Sequence, residues 1–190
     1  MCERQRLVFV TRALARLGAV HLQERSDVLP SEQLTEVADV VRETLIGAES
    51  SRLLTAPAPV LVQNIDRLNL PKLHAQLVET GLQRRWGWLL ENTLLALHQE
   101  SPQLSRPWAL RYRRAALLIE NWLAAFRVQS EEQRTTDTQP LDIIDSNIRS
   151  RGTLDEVMAT ASDISQRWRI ATSVKPSDFA VALRASRADT

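Results

Sequence analysis

Three histidines, a single cysteine and a loose group of carboxylates are the residues of this chain that most often ligate metals or move protons. The histidines stand far apart, at His21, His74 and His98, and none has a second ligand at helical spacing, as zinc-binding pairs require. His98 and Glu100 match half of the zinc-deaminase signature, but its Pro-Cys-x-x-Cys half is absent because Cys2 is the only cysteine. The sequence therefore predicts neither a metal ion nor a cofactor.

Acidic side chains cluster in one later stretch, where paired carboxylates would be available for acid–base chemistry or Mg²⁺ binding. The stretch contains Asp137, Asp142, Asp145, Asp155 and Glu156. Such chemistry needs a shaped and partly dry cleft, whereas these residues lie in or beside a strongly polar segment where a solvated surface is expected. No glycine-rich phosphate loop and no Gly-x-Ser-x-Gly motif accompanies them. We therefore predict no catalytic residue and no enzyme activity, and an enzyme that uses the region of Asp142 and Asp145 is the third hypothesis.

Two segments interleave arginine with large aromatic residues: QRRWGW at 83–88 and RPWALRYRR at 106–114. Arginines neutralise phosphates and exposed rings stack on unpaired bases, so this composition is typical of nucleic-acid binding. The residues that would contact phosphates are Arg84, Arg85, Arg106, Arg111, Arg113 and Arg114. However, Trp86 and Trp108 fall on the apolar faces of helices, so packing in the core is the simpler interpretation, and a protein partner is the second one.

The bulk properties of the chain are those of an ordinary globular protein. Its 190 residues fit one domain, and a net charge of +1 gives no bulk attraction to nucleic acid or to a membrane surface. No apolar stretch approaches the roughly 20 residues that a membrane-spanning helix needs. A lone cysteine is typical of a reducing compartment, so we expect a cytoplasmic protein without a membrane partner. Arginine outnumbers lysine by 22 to 2, a bias typical of G+C-rich bacterial genes.

Apolar residues recur at helical spacing through most of the sequence, which predicts an all-α, single-domain bundle of about six to eight helices. The predicted helices cover residues 3–17, about 31–55 with a loosening at Gly47, a segment after Pro71, 83–99, 106–128, 153–170 and a segment after Pro176, with Ser31, Thr153 and Ser177 as caps. A short strand over residues 8–10 is the alternative within the first of them. Residues 60–62 fit either a short strand or the entry to a helix, so a minor β element near residues 57–63 stays open. The helix over 106–128 has the widest apolar face and is predicted to be central in the bundle.

We predict three parts along the chain. Residues 1–128 form a helical core with a central antiparallel hairpin at 83–128, residues 129–139 form a polar linker, and residues 140–190 form a C-terminal helical segment that packs on the core or on a partner. Charge is uneven: residues 81–128 hold seven basic and three acidic side chains, whereas residues 129–163 hold eight acidic and three basic ones. An acidic segment that folds back onto the basic hairpin is the favoured explanation, and two surfaces for partners of complementary charge are the other.

By elimination, the sequence predicts a non-catalytic helical accessory or adaptor subunit that binds protein partners within a larger intracellular assembly. The alternative is a nucleic-acid-binding helical subunit that uses the arginine and aromatic segments on phosphates and bases. The two hypotheses require different surfaces. A nucleic-acid binder presents its arginines on one exposed face, whereas an adaptor presents an exposed apolar or aromatic patch. The sequence carries no signal for the oligomeric state.

Overall fold

The computed structural model of the chain describes residues 3–22, 36–47, 50–133 and 140–188, and these form the predicted all-α fold with one very small sheet. The helices are α1 (Glu3–Leu17), α2 (Val37–Gly47), α3 (Ser51–Thr55), α4 (Pro57–Asn64), α5 (Leu70–Glu79), α6 (Gln83–Glu100), α7 (Arg106–Gln133), α8 (Arg151–Ala159), α9 (Asp163–Trp168) and α10 (Pro176–Ala188). Strands β1 (Asp142–Ile143) and β2 (Ile170–Ala171) pair in parallel. Six of the described helices, α1, α2, α5, α6, α7 and α10, have ten or more residues and make up most of the bundle.

α6 is the central helix, because residues 86–93 are buried on every side of it. α7 packs against it through an edge-to-face contact between Trp86 and Trp122, whose ring centroids are 6.1 Å apart. α10 packs against it through Trp88 and Phe179, whose centroids are 5.4 Å apart. The prediction that the 106–128 helix is central is wrong, because α7 has one face exposed to solvent.

α6 and α7 form an antiparallel hairpin joined by a 3₁₀ turn at Ser101–Gln103. Trp86 in the first turn of α6 contacts Trp122, which lies beyond the middle of α7. At the other end of the hairpin, the guanidinium of Arg187 lies 2.7 Å from Glu100 and 5.4 Å from the ring centroid of Tyr112. The end of α6 is therefore beside the start of α7, and α10 closes this end of the bundle.

A second, smaller core joins the first four helices. Its buried members include Leu14 of α1, Val40 of α2, Leu53 of α3 and Val60 of α4. The side-chain amide of Asn64 donates hydrogen bonds of 2.8 Å to the carbonyls of Leu17 and Val60, which ties the end of α4 to the end of α1. Gly18 ends α1 with φ at +132°, a conformation that glycine adopts without steric cost.

Residues 57–63 belong to a helix, so the minor β element considered for this segment is wrong. Pro57 and Pro59 lie in the first turn of α4, where backbone N–H groups have no intrahelical acceptor and proline removes no hydrogen bond. Residues 57–62 are all buried. A continuous apolar run carries no periodicity that distinguishes a strand from a buried helix, which is why the sequence left both alternatives open.

The segment over 153–170, predicted as one helix, is divided into α8, α9 and β2. The hydroxyl of Ser150 accepts a hydrogen bond of 3.1 Å from the N–H of Thr153, so Ser150 and not Thr153 caps α8. Ser162 caps α9 in the same way, 3.2 Å from the N–H of Ser165, and Arg169 ends α9 in the left-handed region with φ at 53°. Serine hydroxyls that bond nearby N–H groups restart the helix here, and apolar spacing does not reveal this.

The start of α10 and the end of α7 also differ from the sequence-based bounds. α10 begins at Pro176, so Ser177 lies inside it, and the carboxylate of Asp178 accepts a hydrogen bond of 2.8 Å from the N–H of Lys175. α7 continues to Gln133 and includes the first five residues of the segment predicted as a linker. Residues 134–139 and Ser31 lie outside the described residues. Within the described ranges, no helix combines the length and the apolar character that crossing a membrane requires.

A side chain at Gly87 has no space, because a Cβ there would lie 2.0 Å from Cη2 of Trp168, which covers this side of α6. We expect Gly87→Ala to lower the free energy of unfolding by about 1–3 kcal/mol, the usual cost of overpacking. The matched control is Gly152→Ala in α8, where the atom nearest the added Cβ is Oγ of Ser150 at 3.9 Å. Because alanine has a better helix propensity than glycine, Gly152→Ala leaves the free energy of unfolding unchanged or raises it by up to about 1 kcal/mol. Urea denaturation compares the two, and equal stabilities would contradict the packing of Trp168 on α6.

Candidate functional site

Arg84 and Arg85, at the start of α6, bind other parts of the chain. The guanidinium of Arg85 donates hydrogen bonds of 2.8 and 2.7 Å to the carboxylate of Asp142, and one of 2.6 Å to the carbonyl of Leu45. The side chains of Arg85 and Asp142 are only 20% and 19% exposed, so water shields this ion pair weakly. Arg84 donates a hydrogen bond of 2.8 Å to the carbonyl of Pro140. These two arginines therefore hold β1 and α2 against α6.

The other four predicted arginines are exposed on the first turns of α7. They are Arg106, Arg111, Arg113 and Arg114. The guanidinium of Arg111 lies over the ring of Trp108, 5.1 Å from its centroid. Arg114 forms an ion pair of 2.6 Å with Asp66, and both side chains are more than half exposed. Because α6 and α7 are antiparallel, Arg84 and Arg85 lie at the opposite end of the hairpin from this group.

The aromatic residues of the two arginine-rich segments face inward. Trp86, Trp88 and Tyr112 are fully buried, and Trp108 is half-buried. Burial raises the pKa of Tyr112 to about 12, so its hydroxyl is protonated at neutral pH. Trp88 donates a hydrogen bond of 3.1 Å to the hydroxyl of Ser165. Rings held in this way by the core give no exposed platform on which a base stacks.

The side of α7 away from α6 exposes apolar residues between its arginines. We call this side the outer face of α7 and define it by Arg106, Leu110, Arg113, Leu117, Glu120, Asn121 and Ala124, all of which are exposed. Leu110 and Leu117 are 56% and 57% exposed. Positions three, four or seven apart align on one side of a helix, so these residues form a continuous strip. Leu118, which is also exposed, widens the apolar part of the strip.

The exposed leucines were absent from the sequence-based site, although a signal for them exists. The helical spacing that places Tyr112, Ile119 and Leu123 in the core is confirmed, because all three are buried. The same spacing leaves Leu110 and Leu117 on the opposite side of the helix. Large apolar residues opposite a complete apolar stripe therefore mark this face in the sequence.

Asp145 is a structural carboxylate in the loop after β1. It is buried and accepts hydrogen bonds from the N–H of Asn147 at 3.0 Å, from the N–H of Ser173 at 3.1 Å and from the Ser173 hydroxyl. Burial alone raises the pKa of this carboxyl, but the hydrogen bonds outweigh burial and lower the pKa below its ordinary value. An ionised carboxylate engaged by Asn147 of its own loop and by Ser173 of the loop after β2 is a poor candidate for a general base.

The other acidic residues considered for chemistry serve an ion pair or face solvent. Asp142 binds Arg85, and Asp155 and Glu156 are exposed on α8. Asp137 lies outside the described residues. Over the ranges that the structure describes, no group of three or more His, Cys, Asp or Glu side chains could hold a metal ion.

The three histidines lie in separate surroundings. His74 of α5 meets the edges of Trp122 and Phe126, with ring centroids 4.8 and 5.1 Å away. Burial lowers the pKa of His74 below its ordinary value, so the ring is neutral at pH 7. Nδ1 of His21 lies 3.1 Å from a serine hydroxyl of α10, and His98 is exposed on α6. His74 is therefore part of an aromatic cluster between α5 and α7.

No known protein family, curated protein or solved structure matches this chain. The structure brings four of the six predicted arginines together and places exposed leucines between them, whereas Arg84 and Arg85 serve the fold. This arrangement joins charge and apolar area on one helix, as a surface for a macromolecular partner requires.

Replacing an arginine that holds the fold lowers the free energy of unfolding more than replacing an exposed one on α7. We expect Arg85→Ala to lower the free energy of unfolding by about 1–3 kcal/mol, because Asp142 and the carbonyl of Leu45 lose their partner. Arg113→Ala is the control, because this exposed residue has no ion-pair partner among the described residues. We expect the free energy of unfolding of this variant to stay within about 0.5 kcal/mol of that of the unmodified chain. Chemical denaturation measures both variants. Equal losses would contradict the division into structural and surface arginines.

Proposed function

We propose that this chain is a non-catalytic helical accessory subunit that binds a protein partner through the outer face of α7. The observation that carries the proposal is the exposure of Leu110 and Leu117 between arginines on one helix. Their seven-residue spacing puts them about 10 Å apart along the helix, on the same side. Of the nine exposed large apolar residues among the described ones, three lie on α7, more than on any other element.

The exposed leucines have little to do with folding. A leucine side chain gains about 1.5–3 kcal/mol when it is fully buried, and Leu110 and Leu117 leave most of that gain unrealised. A partner that covers both completes their burial. Scattered exposed leucines are normal on protein surfaces, but a strip of them on one helix is typical of a docking site.

The arginines beside the leucines suit a protein interface. Arginine is enriched in such interfaces and lysine is depleted, because the planar guanidinium combines hydrogen bonds to carboxylates with apolar contact along its stem. Arg106 and Arg113 have no ion-pair partner among the described residues, so they are available to carboxylates of a partner. The face therefore fits an apolar surface with acidic residues at its rim.

Nucleic-acid binding is the second candidate, and the four exposed arginines on one helix favour it. Three observations make nucleic-acid binding a weaker candidate than a protein partner. The tryptophans and the tyrosine of the two arginine-rich segments are buried or half-buried, Arg114 is already paired with Asp66, and Glu120 adds a negative charge to the same face. Leucines also gain nothing from phosphates, so this hypothesis leaves the apolar strip unexplained.

Photo-crosslinking in the cell of origin tests the proposal. A benzophenone amino acid replaces Leu117 in one variant of the full chain and Val181 of α10 in the other. Val181 is the matched control, because it is an apolar helix residue that is 56% exposed, against 57% for Leu117. We expect light-dependent protein adducts of defined mass from position 117 and none from position 181, because only the outer face of α7 is covered by a partner.

Three other results carry different conclusions. Adducts at position 117 that nuclease removes would replace the proposal by the nucleic-acid hypothesis. Absence of adducts at position 117 would reject a docking role for the outer face of α7. The same adducts at both positions would show nonspecific contact, and they too would contradict the proposal.

A further inference from the structure

Charge on the outer face of α7 changes sign along the helix. Arg106 and Arg113 lie toward its start, and Glu120 follows two turns after Arg113 on the same flank of the face. Neither Arg113 nor Glu120 has an ion-pair partner among the described residues. A second identical helix that runs antiparallel and is centred between these two residues places Glu120 of one copy beside Arg113 of the other. A parallel helix places arginine against arginine, which is unfavourable.

Side-chain size along the same face is also self-complementary. Leu110, Leu117 and Ala124 follow one another at intervals of seven residues, and all are exposed. When two antiparallel copies meet with their two-fold axis at Leu117, Leu117 packs on Leu117 of the second copy. Leu110 then packs on Ala124 of the second copy. A large residue then lies opposite a small one, as helix packing favours. In this register Arg113 lies beside Glu120 of the second copy, twice by symmetry.

The register that pairs Leu110 with Leu117 is less favourable. Shifting one helix by seven residues places Leu110 opposite Leu117 of the second copy, at both symmetric positions. The two-fold axis then passes between Arg113 and Arg114, so four exposed arginines meet at the centre of the contact. Like charges brought together in this way oppose association.

From these observations we propose that the partner on the outer face of α7 is a second copy of this chain, bound with the two α7 helices antiparallel and the two-fold axis at Leu117. This inference rests on the proposed function, since it identifies the partner of the same face. An isologous contact of this kind closes after two copies. The described outer face runs along one helix only, so the interface falls in the small size class and the dimer is reversible, with dissociation in roughly the micromolar range.

Thiol cross-linking in the full chain tests the register. Each variant carries Cys2→Ser, so the introduced cysteine is the only thiol. With a short bismaleimide, we expect Leu117→Cys to cross-link to itself and Leu110→Cys and Ala124→Cys each to remain uncross-linked alone. A mixture of Leu110→Cys and Ala124→Cys chains gives the cross-linked heterodimer. Val181→Cys, with the same exposure as Leu110, is the control and gives no product.

Sedimentation of the unmodified chain, from about 1 to about 100 µM, accompanies the cross-linking. A concentration-dependent shift from monomer to dimer is the expected result. A monomer throughout this range, self-cross-linking at all three α7 positions, or no product from the mixed chains would overturn the proposed dimer. In those cases, light-dependent adducts between position 117 and a different protein would still support the proposed function. Absence of any protein adduct at position 117 would reject both.

Discussion

The burial of α6 on every side is the constraint on which the rest of the structure depends. Residues 86–93 leave no side of this helix to solvent, so each neighbouring element has to cover part of it. α7 covers one side, α10 covers another, and Trp168 lies against Gly87 because glycine alone leaves space for the indole. A helix that covers α6 with one face keeps its other face free. In α7 this free face carries leucines and arginines, which is why we assign it to binding.

Charged groups hold the C-terminal part of the chain to the hairpin. The pairs are Arg85 with Asp142, Arg167 with Glu91 and Arg187 with Glu100. Glu91 is 8% exposed and also accepts a hydrogen bond of 2.6 Å from Nε1 of Trp168. Partly buried pairs of this kind fix geometry more than they add net stability, because each charge loses hydration. Part of the uneven charge seen in the sequence is explained here, since Asp142 folds back onto the basic hairpin. Asp155 and Glu156 stay exposed, so the rest of that asymmetry is on the surface.

The sequence predicts the long amphipathic helices well, because their cores repeat at helical spacing. α1, α6 and the start of α7 have their expected bounds, and the buried face of α7 is the predicted one. Hydrogen bonds from serine side chains leave no helical period in the sequence, so the cap at Ser162 that divides the predicted 153–170 helix was missed. A wholly apolar run has no period either, so residues 57–62 fitted a strand as well as a buried helix. For the site, the antiparallel hairpin predicted from the sequence already puts the arginines of the two segments near opposite ends, and helical spacing already puts Trp86 and Trp108 on apolar faces. The bonds of Arg84 and Arg85 to Pro140, Asp142 and Leu45 could not be predicted, because they join segments that are distant in the sequence.

We assign the inner face of α7 to folding and propose that its outer face binds a partner. Urea denaturation at low protein concentration compares the free energies of unfolding of two variants. The outer-face variant is Leu110→Gln/Leu117→Gln, and the inner-face variant is Leu123→Gln, whose leucine is 2% exposed. Leucine and glutamine have similar helix propensities, so the comparison reports burial. We expect the free energy of unfolding of the outer-face variant to stay within about 1 kcal/mol of that of the unmodified chain, and that of the inner-face variant to fall by about 3 kcal/mol or more. An outer-face variant destabilised as strongly as the inner-face one would show that the exposed leucines support the fold, and would contradict their assignment to a partner.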